Sequence, residues 1–340
     1  MVAVELGTPV RTVAALLEWS RATVDPPLRA AVATLPPATA ELVDYHFGWR
    51  DAAGAPAREY AGKAVRPLLT LLAARAVGAD AAVAVPAAVA VELVHNFSLV
   101  HDDIMDGDRT RRHRATLWNV HGVGPAILAG DAMLALAGQT IEAEVRAAAL
   151  LGTAVQRLID GQLADLAFER RGDVTPARCE AMAEAKTAAL LSAATELGAV
   201  AGGGSPAACA RLARFGHLIG LAFQFTDDLL GIWGDPAVTG KPVRSDLRTG
   251  KKSLPVVAAL HSGEPAAAAL AELYRDGGLT GADAARAADL IEECGARTWC
   301  QARADALLDE ALRELAEAGS PAPAERELGT VARLLTRRDR

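Results

Sequence analysis

The chain has 340 residues, a length that suits one large domain or two small ones, and is 51% hydrophobic with only 4% aromatics. Its formal net charge of −7 argues against a nucleic-acid partner, since binding along a duplex needs a basic face. Cys179, Cys209, Cys294 and Cys300 show no CxxC or Cys/His metal spacing and read as reduced core residues of a cytoplasmic protein.

The N-terminal MVAVELGTPVRTV has no basic stretch leading into an apolar one, so no signal peptide is expected. Residues 10–20 predict a first helix, and Pro36-Pro37 and the Gly54/Pro56 stretch read as breaks. A helix starts near Pro67, where a first-turn proline is tolerated, and Gly78-Ala79-Asp80 closes it and caps the next, about 81–105. The apolar run Ala81–Val91 is interrupted by Pro86 and ends at Glu92, short of the roughly 20 residues a bilayer span needs, so no transmembrane segment is expected. A long apolar helix covers about 124–150 and another continues to about 170. Thr175-Pro176 opens a helix to about Gly198 as an N-cap with proline after it. Gly202 to Pro206 is a turn and cap before a helix at about 207–233. Gly234–Lys252, with three glycines and two prolines, is a loop of the kind that carries function. Further helices are expected at about 253–262, 265–275, 281–295, 297–318 and 324–336. Strand signals are scarce, no linker or internal repeat divides the chain, and the reading is all-α with a single domain over 1–340. With few rings, its core should rest on close helix–helix contacts.

Two aspartate clusters stand out, about 125 residues apart, each at the end of an apolar helix and each followed by basic residues. The first is Asp102-Asp103-Ile104-Met105-Asp106, the second Asp227-Asp228 with Asp235 after it. Carboxylates at the end of an apolar helix are costly unless neutralised. Asp102 and Asp106 are four residues apart and share one helix face, so both reach the same one or two metal ions, while Asp103 points elsewhere. Mg²⁺ is usually held by one or two carboxylates plus substrate phosphates, so acids followed by Arg and Lys point to a Mg²⁺–diphosphate site. The candidate cations are Lys63 and Arg66 at a helix entrance, Arg111 and Arg112 after the first cluster, and Lys241, Lys251 and Lys252 after the second. Lys186, in an Ala-rich helix, needs a partner. His95 lies about two turns before Asp102.

The chain resembles the trans-isoprenyl diphosphate synthases, the polyprenyl synthetase family, and the archaeal-type and actinobacterial geranylgeranyl diphosphate synthases in particular. The motifs that carry the resemblance run in order: Gly62-Lys63-x-x-Arg66-Pro67, Asp102-Asp103-x-x-Asp106, Arg111-Arg112, Gly161-Gln162-x-x-Asp165, Lys186-Thr187, Phe223-Gln224, the second aspartate cluster, and Gly240-Lys241-Pro242. The resemblance implies an all-α isoprenoid synthase fold, with about ten or more helices around a deep central cavity, usually as a homodimer. It implies condensation of isopentenyl diphosphate with allylic diphosphates. It gives Asp102 and Asp106 two Mg²⁺ ions and Asp227 a third. Arg111, Lys186 and Lys241 fall to the allylic diphosphate; Lys63, Arg66, His95 and Arg112 to isopentenyl diphosphate; and Thr187 and Gln224 to the reacting carbon. Lys251, in a Gly-Lys pair of the loop, is read with the substrate-binding cations without a place at either diphosphate.

Three positions depart from the family pattern: Ala61 and His113 stand where glycine is usual, and Gly231 where the second cluster often has a third aspartate. The roles of Asp228 and Asp235 stay open. Phe97, five residues before Asp102, lies about 7.5 Å deeper along the helix, and Ser98 is small. That pair resembles the pattern of C20 synthases, with C15 as the alternative. A terpene cyclase would not need the Lys63/Arg66/His95 set, and a non-catalytic synthase subunit would typically have lost acids or those cations.

Overall fold

The computed structural model describes residues 11–57, 64–169, 171–236, 243–275 and 278–336. Helices α1 (Val13–Val32), α2 (Pro37–His46), α3 (Val65–Ala76), α4 (Val85–Met105), α5 (Leu117–His121), α6 (Val123–Gln139), α7 (Val145–Glu169), α8 (Pro176–Ala183), α9 (Ala189–Ala201) and α10 (Pro206–Trp233) are followed by helices at Ser245–Arg248, Leu254–Leu260, Pro265–Leu273, Gly281–Glu293, Ala296–Glu317 and Ala322–Thr336. Among the described residues the only sheet is a two-stranded hairpin, β1 (Thr110–Arg111) with β2 (Arg114–Ala115).

Local sequence explains the helix ends. Thr12 caps α1 by accepting from the Ala15 amide, Asp80 caps the short 3₁₀ turn at Ala81–Ala84 through the Ala82 amide, and Thr175 caps α8 through the Arg178 amide. Helix α1 runs well past the expected 10–20 and through Pro26-Pro27. Leu16, Ser20, Val24, Leu28 and Val32 recur at every fourth position and are all buried. That continuous stripe outweighs the backbone bonds the prolines remove. The helix expected over 124–150 breaks instead after Gln139, and α7 starts at Val145.

The described chain falls into two compact units. The first comprises Met1–Gly152, Ala193–Ala213 and Leu315–Val331. Its centre is α4, packed against α1, α3 and α6. The approach is close: a Cβ on Gly130 of α6 would fall 2.3 Å from His101 Nε2, and one on Gly198 of α9 would fall 2.0 Å from the Thr70 carbonyl of α3. These contacts match the expectation of a core resting on close helix–helix contacts. Among the described residues only Ala81–Met105 is long and apolar enough to cross a membrane, and 72% of its apolar window is buried inside the protein. Glu327, 2% exposed, anchors this unit. It accepts two hydrogen bonds from Arg11, at 2.8 and 2.9 Å, and one from Arg75.

The second unit comprises Thr153–Ser192, Arg214–Glu314 and Ala332–Arg340. Its core gathers Ile232, Leu247, Val256, Leu270 and Ile291. Between α8 and α9, residues Glu184–Ala188 form one turn of π-helix, a bulge that recurs at functional sites. All four cysteines are free and buried.

Candidate active site

In the first unit the end of α4 presents the first aspartate cluster. Asp102 is half-buried and Asp106, the C-cap residue, is exposed, while Asp103 is 2% exposed. Asp103 accepts from Arg111 Nε at 2.6 Å. Burial pushes its carboxyl up to about 6 against the pull of Arg111. The i, i+4 pair therefore faces outward and the aspartate between them faces in, toward the arginine that follows the cluster. Arg111 also comes within 3.8 Å of Asp108. Arg112, in the turn of the hairpin, is exposed. Phe97 is 6% exposed and meets the His101 ring edge-on, with centroids 5.0 Å apart.

Arg66, near the start of α3, donates from Nη1 to His95 Nε2 at 3.1 Å. Arginine only donates, so His95 Nε2 is the bare acceptor nitrogen. Burial, reinforced by Arg66 and Arg112, lowers the His95 pKa well below its ordinary value and keeps the ring neutral. One turn before Asn96, Glu92 accepts from the Asn96 amide at 3.1 Å, and Asn96 Oδ1 takes a hydrogen bond from His46 Nε2 at 3.0 Å. Lys63 and Lys241 lie outside the described residues.

The second unit holds a chain of hydrogen bonds. Thr187, in the π turn, donates to Gln224 Oε1 at 2.6 Å. Gln224 Nε2 donates to Asp228 Oδ1 at 2.8 Å, and the Leu254 amide donates to Asp228 Oδ2 at 2.9 Å. Asp228 is 2% exposed, and burial pushes its carboxyl up to about 6 despite Lys251 nearby. Both Asp228 oxygens are thus occupied by protein donors, whereas Asp227 remains half-buried. Lys186 meets the partner it needed: its Nζ donates to Asp165 at 2.6 Å. A Cβ on Gly161 would fall 2.2 Å from the Lys186 backbone nitrogen, so glycine lets α7 touch the π turn.

The loop lysines differ from one another. Lys251 is half-buried; burial alone would lower its pKa, but Asp228, Asp246, Asp165 and Asp227 raise it, so the ammonium is firmly charged. Lys252, read from sequence as a candidate cation of the diphosphate site, instead donates to the Phe168 carbonyl at 2.8 Å and to the Arg171 carbonyl, closing the end of α7. Gly231 gains a physical reason: a Cβ there would fall 2.2 Å from Asp246 Oδ2. Sequence reading missed Asp246, which lies buried against that glycine. It also missed Tyr45 and Arg114, which brace the hairpin; of the three, only Asp246 left a signal in the sequence, the glycine at position 231 that it packs against.

Among the described residues no three His, Cys, Asp or Glu side chains converge as a metal-binding group. The outward carboxylates nonetheless suit Mg²⁺, which is reluctant to shed water and takes few protein oxygens. Asp102 and Asp106 offer two oxygen donors one turn apart at a solvated helix end.

The polyprenyl synthetase family pattern matches residues 52–291. The chain is 44% identical over 327 residues to a protein of Mycobacterium tuberculosis named (2E,6E)-farnesyl diphosphate synthase, covering 93% of this chain and 90% of that one. It is also 44% identical over 311 residues to a protein of the same species named geranylgeranyl diphosphate synthase, covering 89% of each. Among solved structures it is similar to a polyprenyl synthetase from Streptomyces coelicolor A3(2), with TM-score 0.90, 46% identity, and coverage of 95% of this chain and 99% of that one.

Proposed function

Because the chain belongs to the polyprenyl synthetase family, we propose that it is a short-chain trans-prenyltransferase. It condenses isopentenyl diphosphate with dimethylallyl, geranyl or farnesyl diphosphate, and its main product is geranylgeranyl diphosphate. Asp102, Asp106 and Asp227 would hold Mg²⁺, about three ions as the family resemblance implies. The bound ions supply positive charge against the departing diphosphate. Arg111, Lys186, Lys241 and Lys251 bind the allylic diphosphate and add to that charge, so the allylic C–O bond breaks to a cation. Lys63, Arg66, His95 and Arg112 hold isopentenyl diphosphate so that its double bond attacks that cation, and the tertiary cation this leaves loses a proton to the departed diphosphate to form the new double bond. A neutral His95 accepting from Arg66 orients the guanidinium without repelling it. Thr187 and Gln224 present oxygen to the cationic carbon, and Gln224 is held by Asp228 with its carbonyl toward Thr187.

The observation that carries the reading is the end of α4, where two aspartates one turn apart face outward over a buried, arginine-anchored third. The C20 product rests on Phe97, buried beside small Ser98. A C15 product is the second reading, favoured by a farnesyl synthase relative as similar as the geranylgeranyl one. A homodimer suits the apolar outer face of α6, where Val123, Ile127 and Leu128 are 47, 41 and 66% exposed. Free, buried cysteines suit the cytoplasm.

Purified protein is incubated with Mg²⁺, labelled isopentenyl diphosphate and each allylic substrate, and the dephosphorylated products are separated by chain length. A C20 alcohol is expected, and Phe97→Ala should lengthen it toward C25. No incorporation would reject the synthase reading, and an unchanged product in Phe97→Ala would remove Phe97 from the floor.

A further inference from the structure

The hairpin after α4 carries both arginines assigned to substrate diphosphates, and its turn lacks the residues such turns usually need. Thr110 pairs with Ala115 and Arg111 with Arg114, which leaves a two-residue turn at Arg112-His113. Both residues are left-handed, with φ of 51° and 63°. Turns of this kind favour Asn-Gly or Asp-Gly, because a Cβ disfavours positive φ. Neither Arg112 nor His113 gives that relief, so the surroundings must hold the turn.

Two residues supply the hold on the second strand. Tyr45, buried in α2, donates its hydroxyl to the Ala115 carbonyl at 2.7 Å. Arg114 donates from Nη2 to the Tyr45 carbonyl at 3.0 Å and to the Arg50 carbonyl at 3.4 Å, and its guanidinium lies 4.8 Å from the centre of the Tyr45 ring. Arg50 is itself fixed, to Asp44 at 3.0 Å and to the Gly54 carbonyl at 3.0 Å. The first strand is tied separately, by Arg111 to Asp103 and by Thr116 and Trp118 to the Asp108 carbonyl at 2.8 Å each.

We propose that Tyr45 and Arg114 are positioning residues for Arg112. They clamp the second strand so that the chain stays left-handed through Arg112-His113 and the Arg112 guanidinium is aimed at the diphosphate of isopentenyl diphosphate. This rests on the synthase reading above. Neither clamp residue need touch substrate, and the clamp compensates for the absent glycine at position 113.

The test is a cycle of Arg114→Ala, His113→Gly and the double variant, with Tyr45→Phe alongside, read by steady-state kinetics in both substrates and by thermal unfolding. Arg114→Ala should raise KM for isopentenyl diphosphate about tenfold, the factor that about 1.4 kcal/mol makes, and raise the allylic KM much less. Tyr45→Phe should shift it the same way by a smaller factor. His113→Gly should stay near wild type and restore most of the KM in the double variant, because glycine takes positive φ unaided. A KM that stays high in the double variant, or a loss confined to kcat, overturns the proposal. If Arg114→Ala does not fold, Tyr45→Phe with and without His113→Gly makes the same comparison. If the wild-type chain incorporates no substrate, the synthase reading fails, and the unfolding data still judge the clamp. Strictly additive Tm changes for the two substitutions would refute it.

Discussion

Gly161→Ala tests how closely α7 must approach the π turn that carries Lys186 and Thr187. An added Cβ would sit 2.2 Å from the Lys186 nitrogen, 2.6 Å from its Cα and 2.8 Å from the Ala185 carbonyl carbon. All three are backbone atoms, so no side-chain rotation relieves the clash. Ordinary contact begins at 3.4 Å, so the two segments must part by about 1 Å. Alanine gains roughly 0.5–1 kcal/mol of helix propensity over glycine. Overpacking costs about 1–3 kcal/mol, so the variant should lose up to about 2 kcal/mol. The displacement falls on Lys186, paired with Asp165, and on Thr187, bonded to Gln224. A shift of about 1 Å in a positioned group costs roughly 10²-fold in rate. Gly152→Ala, on the same helix with nothing within 4 Å of the added carbon, is the control. It should gain up to about 1 kcal/mol and keep full activity. Urea unfolding gives the stabilities and single-turnover condensation gives the rates. Equal stability and equal rate in the two variants would refute the reasoning.

Two further outcomes follow from the geometry. Asp102→Ala should lower turnover by roughly 10²–10³-fold or more while Tm holds or rises, because a carboxylate at a helix C-terminus opposes the dipole; near-normal turnover would remove Asp102 from the metal site. Glu327→Gln should cost about 1.5–3 kcal/mol at neutral pH, measured by chemical unfolding across pH. Burial would raise the Glu327 carboxyl, but Arg11 and Arg75 outweigh it and hold it below its ordinary value. The gap between wild type and variant should therefore be full above the ordinary glutamate range and close as pH falls through the lower folded value; a gap that widens in acid would contradict this.

The helices and the placing of the first acid pair were legible in the sequence where one residue type dictates one outcome. Thr175-Pro176 could only open a helix, and the four-residue spacing of Asp102 and Asp106 fixed their shared face. What escaped were features set by partners remote in sequence. Nothing local in Lys252 reveals that two carbonyls at the end of α7 will take its ammonium. The π turn at Glu184–Ala188 has no composition of its own, and the glycine that lets it touch another helix, Gly161, lies on α7. The hairpin was hidden because Arg112-His113 lacks turn chemistry and is held by Tyr45, about 70 residues earlier. The end of α6 was missed because its only mark, Gly138, lies inside the last turn rather than after it, and Gln139 and Thr140 are compatible with a continuing helix.

Each aspartate doublet divides its labour. Asp103 and Asp228 are sunk and tethered, the first to Arg111 and the second to Gln224 and the Leu254 amide, while Asp102 and Asp227 stand nearer the solvent. Neighbours on a helix point about 100° apart, so a tethered residue sets the bearing of the one before it. Neither α4 nor α10 turns about its own axis without dragging a carboxylate away from a donor outside the helix, Arg111 for Asp103 and the Leu254 amide for Asp228. The compass heading of each outward aspartate is thus set at folding, and on the proposed reading an arriving cation would meet ligands that have little left to reorganise.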